Sequence, residues 1–467
     1  MNKVNLVVLK KSISGLLSKL ISGGIVFLIF FVPFQTRYIY SAVFINGNFW
    51  EYGSKSIYAS ELLIWFLLLL VIIRFFFNNS KPFSCLLQKI KIISRLKFFW
   101  LIASSALIFF SFVHSFDLSL SLLFLLHFLT TLFGALVLVY SGISFIKASS
   151  LWWASGILQS ILALVQFLSQ HALPNKWLGM AEHLPSHFGA AVIETTSGRW
   201  LRAYGSFGWP NTLGIYLASA WILGLVILVY FINAKHVLSK GKFWWHLFFV
   251  LGQMVIFSGL VVSFSRAAWL SSLIGFVVLG FIVYKQKNAD EDKKNQLRIL
   301  IRNFLYALFV FLTFFIIFKP LFTTRFSDNT RLESRSISER VGQYSEALNI
   351  IKNHLWWGVG FGSYTAYNHK IDPARPVWEN QPVHNAYVLC FTETGLFVFM
   401  FMFGSLIFVV YRTLKTKIFF VPVVVTLLVN CFFDHSVWSL HGGQLFFVLI
   451  LSLFLLHLEV KEKVGVI

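Results

Sequence analysis

Apolar and polar positions alternate along this chain in long blocks, not at the short rhythm of soluble strands and helices. A bilayer core about 30 Å thick takes roughly 20 apolar residues per helix, and about twelve such runs are present. They lie near 20–36, 57–77, 98–114, 118–145, 151–169, 209–232, 244–263, 267–284, 303–322, 385–411, 418–433 and 443–459. The pattern predicts an all-α, polytopic integral membrane protein with about 12 transmembrane helices, formed by one membrane domain over residues 1–467. Lys3, Lys10, Lys11 and Lys19 precede the first run in the manner of a signal peptide. No small-x-small cleavage site follows, so the run reads as a retained helix.

Charge orients these spans. With the N-terminus inside, the even-numbered turns are cytoplasmic, and they are the basic ones. Segment 78–97 carries Lys81, Lys89, Lys91, Arg95 and Lys97, and segment 233–243 carries Lys235, Lys240 and Lys242. Segment 285–302 adds Lys285, Lys287, Lys293, Lys294, Arg298 and Arg302, and the last inner turn has Arg412, Lys415 and Lys417. Both termini are then cytoplasmic, and two long segments, 170–208 and 323–384, are extracytoplasmic loops.

The second loop is the one long polar stretch in the chain, with Arg325, Arg331, Arg335, Arg340, Glu333, Glu339 and Glu346. Ser336-Ile337-Ser338-Glu339 fits a capping box, which predicts a helix start there. Val341, Tyr344, Leu348, Ile351 and Leu355 follow at spacings of three and four, an amphipathic stripe. Trp356 and Trp357 end it, and Gly358-Val359-Gly360-Phe361-Gly362 breaks it. The expectation is an amphipathic helix on the outer surface, holding Arg340 over the mouth of the bundle.

Composition narrows the class without changing the picture. The chain has 467 residues, 57% of them hydrophobic, with 54 Phe and a mean hydropathy of +0.75. Its formal charge of +21 sits mostly in the short inner turns, with no basic stripe on a soluble domain, so no nucleic-acid partner is expected. Cys85, Cys390 and Cys431 offer neither a disulfide framework nor metal-ligand spacing. No soluble domain, tandem repeat or low-complexity linker is evident.

Four places carry candidate chemistry. Arg202, in Arg202-Ala203-Tyr204-Gly205-Ser206-Phe207-Gly208-Trp209-Pro210-Asn211, stands where a span enters from outside. It either grips phosphate in a planar fork or snorkels at the interface. Arg266 lies in the tight turn Ser263-Phe264-Ser265-Arg266, where it faces a wet cavity or pairs with an acid. Arg340 is either a solvated surface charge or part of the mouth of the bundle. His384-Asn385 begins a new span, and a helix dipole at that point keeps the imidazole neutral, as a general base requires. Glu393, roughly 13 Å deeper along the same helix, is expected to orient a basic partner such as Arg266. His183 and His187 are close in sequence, but Pro185 interrupts the helix that metal ligation at that spacing would need. Asp434, His435 and Trp438 form another outer turn that says little alone.

In order along residues 202–444, these segments resemble the O-antigen ligase and polymerase (Wzy-like) family of bacterial envelope glycosyltransferases. The carrying motifs are Arg202-x-x-Gly-x-Phe-x-x-Pro-Asn, Ser263-x-Ser-Arg, Glu339-Arg-x-x-x-Tyr-x-x-Ala-Leu, Gly358-Val-Gly, and His384-Asn with Gly395. Tyr344 stands where ligases often have Leu, and Val398 where Gly, Thr or Tyr is common. The resemblance implies a GT-C-like fold in the bacterial cytoplasmic (inner) membrane. It also implies transfer of a glycan from an undecaprenyl-pyrophosphate carrier to a lipid or glycan acceptor hydroxyl at the outer face, without cofactor or metal. In that reading His384 takes the acceptor proton, Arg202, Arg266 and Arg340 hold the departing pyrophosphate, and Asn385 and Glu393 support them. The alternative is a flippase or other transporter of lipid-linked saccharides. Transporters place polar groups at the midplane and show internal repeats, whereas the polar residues here gather at one side.

Overall fold

The computed structural model describes residues 3–77, 108–233, 242–286, 290–327 and 330–456. The first half contains α1 (Lys3–Phe31), α2 (Ala59–Phe77), α3 (Leu118–Tyr140), α4 (Phe145–Ser169), α5 (Pro210–Asn233), α6 (Lys242–Val262) and α7 (Arg266–Lys285). The second half contains α8 (Asp290–Ile317), α9 (Lys319–Phe326), α10 (Arg331–Asn353), α11 (Tyr364–Ile371), α12 (Ala386–Thr416), α13 (Val421–Asn430), α14 (Ser436–Ser439) and α15 (His441–Ser452). Among the described residues nine helices are long and apolar enough to cross a membrane, so this is a multi-pass membrane protein. Each overlaps an expected run, the first and eighth starting about ten residues earlier than expected.

The other three expected runs fare differently. Those near 418–433 and 443–459 form the shorter apolar helices Ile418–Asn430 and His441–Leu455. Most of the run near 98–114 lies outside the described residues, which resume in helix at 108–113. The basic segment 78–97, most of 233–243 and Cys85 also lie outside them.

Helix α5 is the axis of the bundle. It is buried without a break from Thr212 to Val229, and α4, α6, α7, α8 and α13 pack against it. The outer helices α2 and α12 keep wide exposed apolar faces, among them Leu62, Phe66, Met400 and Phe408. That is the arrangement of a protein whose solvent is lipid.

Short strands add a feature that the apolar runs did not predict. Between α1 and α2, β1 (Arg37–Ser41) pairs antiparallel with β4 (Lys55–Tyr58), and β2 (Phe44–Ile45) with β3 (Asn48–Phe49). Asn46 and Gly47, both at positive φ, make the inner turn, the Asn-Gly signature of a two-residue hairpin. In segment 170–208, β5 (Val192–Thr195) pairs with β6 (Gly198–Leu201).

Helix α10 begins earlier than the capping box at Ser336 predicts. Its N-cap is Thr330, without a side-chain cap, and Ser336 lies inside it. Arg335 and Glu339 form an i, i+4 ion pair at 2.7 Å that supports the added turn. The apolar stripe is present but turned outward, with Val341 and Leu348 more than half exposed. Glu333, Gln343, Ala347 and Ile350 form the buried face. Trp356, just beyond the helix, stacks on Phe397 of α12 at 5.3 Å.

The glycine segment after α10 docks on a break in α12. Gly395 interrupts that helix at φ 70° and ψ 177°. The N–H groups of Val359 and Gly360 donate to the carbonyls of Thr392 and Glu393 at 3.1 and 2.8 Å, and Leu396 N–H donates to Leu355 O at 2.8 Å. Gly358 has φ +69°, and a Cβ there would collide with the Glu393 backbone; one on Gly395 would meet the backbone of Trp356 and Trp357. Gly358→Ala or Gly395→Ala is therefore expected to destabilise the protein by roughly 2–5 kcal/mol, from left-handed strain plus overpacking. Gly404→Ala, in open space on the same helix, should be neutral or stabilising by about 1 kcal/mol or less. Thermal unfolding of the purified variants followed by size exclusion checks both, and equal midpoints would refute the docking argument.

Candidate active site

A polar cavity of about 440 Å³ opens at the end of the bundle where residues 170–208 and α10 meet. Arg202 enters it from the chain before α5, Arg325 from α9, Arg340 from α10, His384 from the residue before the α12 cap, and Asp434 and His435 from the turn between α13 and α14.

The arginines do not have equal freedom. Arg202 is buried, and its Nε donates to the Ser263 carbonyl at 2.9 Å while Nη2 donates to Asn211 Oδ1 at 2.8 Å. Asn211 in turn donates to Asp434 Oδ2 at 3.1 Å. Burial, reinforced by the nearby charge of Arg325, pushes the Arg202 pKa down. Arg266 donates to the Arg325 carbonyl at 2.9 Å and lies 3.3 Å from Glu333 Oε2. It is not among the cavity's lining residues, so of the two readings of that turn, pairing with an acid is the one observed. Arg325 forms an ion pair with the same buried Glu333 and donates Nε to the Phe264 carbonyl at 3.2 Å.

Arg340 is different. Among the described residues its guanidinium makes no ion pair and no hydrogen bond, yet it lines the cavity. Burial lowers its pKa, Asp434 opposes that, and Arg266 adds to it. A partly buried cation with no counter-ion in contact is prepared for an anion.

His384 is neutral by several routes. Burial lowers its pKa most, and the charges of His435 and Arg340 lower it further against Asp434. Desolvation thus outweighs the helix dipole as the cause. Its Nδ1 lies 2.8 Å from Gln343 Oε1. A carbonyl oxygen only accepts, so Nδ1 carries the proton and Nε2 keeps a lone pair. The His435 ring meets His384 edge-on at 5.1 Å, and His435 Nδ1 is 2.7 Å from Ser439 Oγ. Asn385 caps α12 through Oδ1, accepting from Tyr387 and Val388 N–H at 3.0 and 3.1 Å, while its Nδ2 donates to Tyr344 OH at 3.0 Å. It fixes the backbone beside His384 and ties it to α10.

Residues 249–403 match the family model described as O-Antigen ligase. The similarity to that family covers those residues, about a third of the chain. A search of the curated proteins found no match. The matched segment contains Arg266, Arg325, Glu333, Arg340, Gln343 and His384, whereas Arg202, Asp434 and His435 complete the cavity from either side of it.

Within the matched segment, Glu393 is not the partner of Arg266. It is buried, accepts from Trp438 Nε1 at 2.7 Å and from the Tyr364 backbone N–H at 3.3 Å. The expected ion pair is absent because Glu333, in the first turn of α10, takes both Arg266 and Arg325, while Glu393 anchors the glycine segment. His183 stacks on Tyr204 at 4.0 Å and belongs to no metal-competent group among the described residues.

Proposed function

We propose that this protein transfers a glycan from an undecaprenyl-pyrophosphate carrier to an acceptor hydroxyl at the outer face of the bacterial cytoplasmic membrane. The observation that carries this reading is one cavity holding the unpaired Arg340 and a neutral His384 with a free Nε2. The acceptor oxygen attacks the anomeric carbon, its proton passes to His384 Nε2, and the glycosidic bond to pyrophosphate breaks. The leaving pyrophosphate gains a negative charge, which Arg340 and Arg202 stabilise where it develops. Arg266 and Arg325, tied to Glu333, position the wall from which α10 presents Arg340. No step passes through a metal, because guanidinium groups supply the cationic charge.

An apolar cleft of about 440 Å³ supports the same reading. It runs between α3, α12 and α15, with Phe128, Phe399, Met402 and Phe447 among its walls, and reaches Ala386 and Tyr387 just past His384-Asn385. A polyprenyl chain entering sideways from lipid would lie there with its pyrophosphate toward the arginines.

Purified protein in nanodiscs, given a synthetic undecaprenyl-pyrophosphate glycan and an acceptor glycan, should release undecaprenyl pyrophosphate and lengthen the acceptor, and should do so in excess EDTA. Movement of intact donor across the bilayer without release would mark a flippase. Loss of transfer in folded protein, restored by one added divalent ion, would overturn the metal-free route. Cells lacking the gene would separate the two acceptor classes: single-repeat glycans accumulate when a polymerase is lost, unattached full-length polymer when a ligase is lost.

The orientation has its own test. A cysteine at Ser327 is expected to react with an impermeant maleimide added to intact cells, and one at Asn288 only after permeabilisation. The reverse pattern would put the cavity on the cytoplasmic side and remove the donor proposed for it.

A further inference from the structure

We infer that Glu61, His127 and His441 form a binding site for one divalent transition metal ion of the zinc class, apart from the arginine cavity. Glu61 is in the first turn of α2, His127 midway along α3 and His441 at the start of α15. One ligand atom from each lies within 4.8 Å of the other two. Two imidazoles and one carboxylate are a ligand set that zinc takes with a water in the fourth position. None of the three lines the arginine cavity, so the ion braces helices and takes no part in transfer.

Burial makes the cluster hard to explain as ordinary surface polarity. Glu61 and His441 are 2% and 3% exposed, and an acid inside a spanning helix is costly unless its charge is met. His127 Nδ1 meets one Glu61 oxygen at 2.7 Å. The other oxygen accepts from the Tyr58 N–H at 2.9 Å, closing the helix start.

His441 supplies the independent observation. Its Nδ1 is buried with no hydrogen-bond partner and lies 4.0 Å from the Glu61 oxygen already in contact with His127. Its Nε2 is 3.1 Å from Ser60 Oγ. If Nε2 donates to that hydroxyl, the buried Nδ1 lone pair points at the carboxylate and lacks anything to bind, which a cation between them would supply. A ligating imidazole that donates its other N–H to a neighbouring oxygen is the usual outer-shell arrangement. A small cavity of about 80 Å³, lined by His127 and His441, adjoins the cluster and has room for the water ligand. Arg37 and Glu51 on its wall are paired with each other, so neither competes for the ion or for Glu61.

The test is metal content. Full-length protein purified without a polyhistidine tag is incubated with Zn²⁺, passed through gel filtration, and assayed for zinc by mass spectrometry. Wild type should retain about one ion per chain, and its unfolding midpoint should rise with Zn²⁺. Glu61→Gln and His441→Ala should abolish retention and the rise. Ser60→Ala, which keeps all three ligands, should weaken affinity about 10–100-fold. Folded wild-type protein that retains no stoichiometric zinc overturns the inference, as does unchanged retention in Glu61→Gln; the latter would place the ion on another group such as the exposed His171 and Glu182 pair.

Discussion

His384→Ala is expected to lower turnover by roughly 10²–10⁴-fold, the range for losing a general base, while donor affinity stays nearly unchanged. The separation follows from geometry. His384 is tied to Gln343 through Nδ1, and only its Nε2 is free to act, on a proton and not on phosphate. Gln343→Ala removes the group that fixes the tautomer and should lower turnover in the same direction but by less. The pH profile gives a readout that a purely structural histidine would not produce. The base must be neutral, so kcat/KM falls as pH falls through the pKa of the free protein, which lies below the usual 6.5 because of burial, His435 and Arg340. An anionic donor bound beside it favours the imidazolium, so the acid limb of kcat should lie at higher pH than that of kcat/KM. Folded His384→Ala protein that binds donor and transfers at near wild-type rate would move the base to His435, the other neutral imidazole of the cavity. Glu393 would not inherit the role, since it anchors the glycine segment and does not line this cavity.

What the sequence made legible divides along a physical line. A lipid solvent demands a continuous apolar run for each span, so nine helices could be located without tertiary knowledge. Arg202, Arg266 and His384 were visible because each is a polar group at an edge of such a run, where it has few structural uses, and Arg340 because it follows a capping box in the one long polar loop. Partnerships were not visible. Glu333 stands in a polar loop like several other acids, and nothing local marks it as the partner of Arg266 and Arg325. Gln343 reads as one more polar residue of an amphipathic helix until the fold sets it 2.8 Å from His384. Asp434 and His435 stand in a short outer turn, and only the fold brings them beside His384. Glu61, His127 and His441 are spread over most of the chain, and no spacing rule joins them. The Asn46-Gly47 hairpin was written locally, and the apolar blocks on either side masked it.

Arg340→Ala is expected to weaken donor binding and, in addition, to lower turnover by about 10²–10³-fold, the usual effect of removing one preorganised group that stabilises developing charge. Among the described residues Arg340 has no counter-ion in contact, so none of them compensates for its loss and no contact with them has to be broken before it meets phosphate. Arg340→Lys should recover little, because a point charge cannot match two phosphate oxygens in one plane. Arg266 provides the contrast. Its guanidinium is engaged by Glu333 and by the Arg325 carbonyl, so Arg266→Ala frees a carboxylate next to Arg325 and disturbs the cavity wall. Adding Glu333→Gln to Arg266→Ala should therefore restore part of the lost transfer, whereas adding it to Arg340→Ala should restore none. Donor binding by titration in nanodiscs and transfer by acceptor elongation, measured for both single and both double variants, decide it. Equal rescue of the two would mean that Arg340 also acts through Glu333, and that the pyrophosphate is held by Arg202 and Arg325 instead.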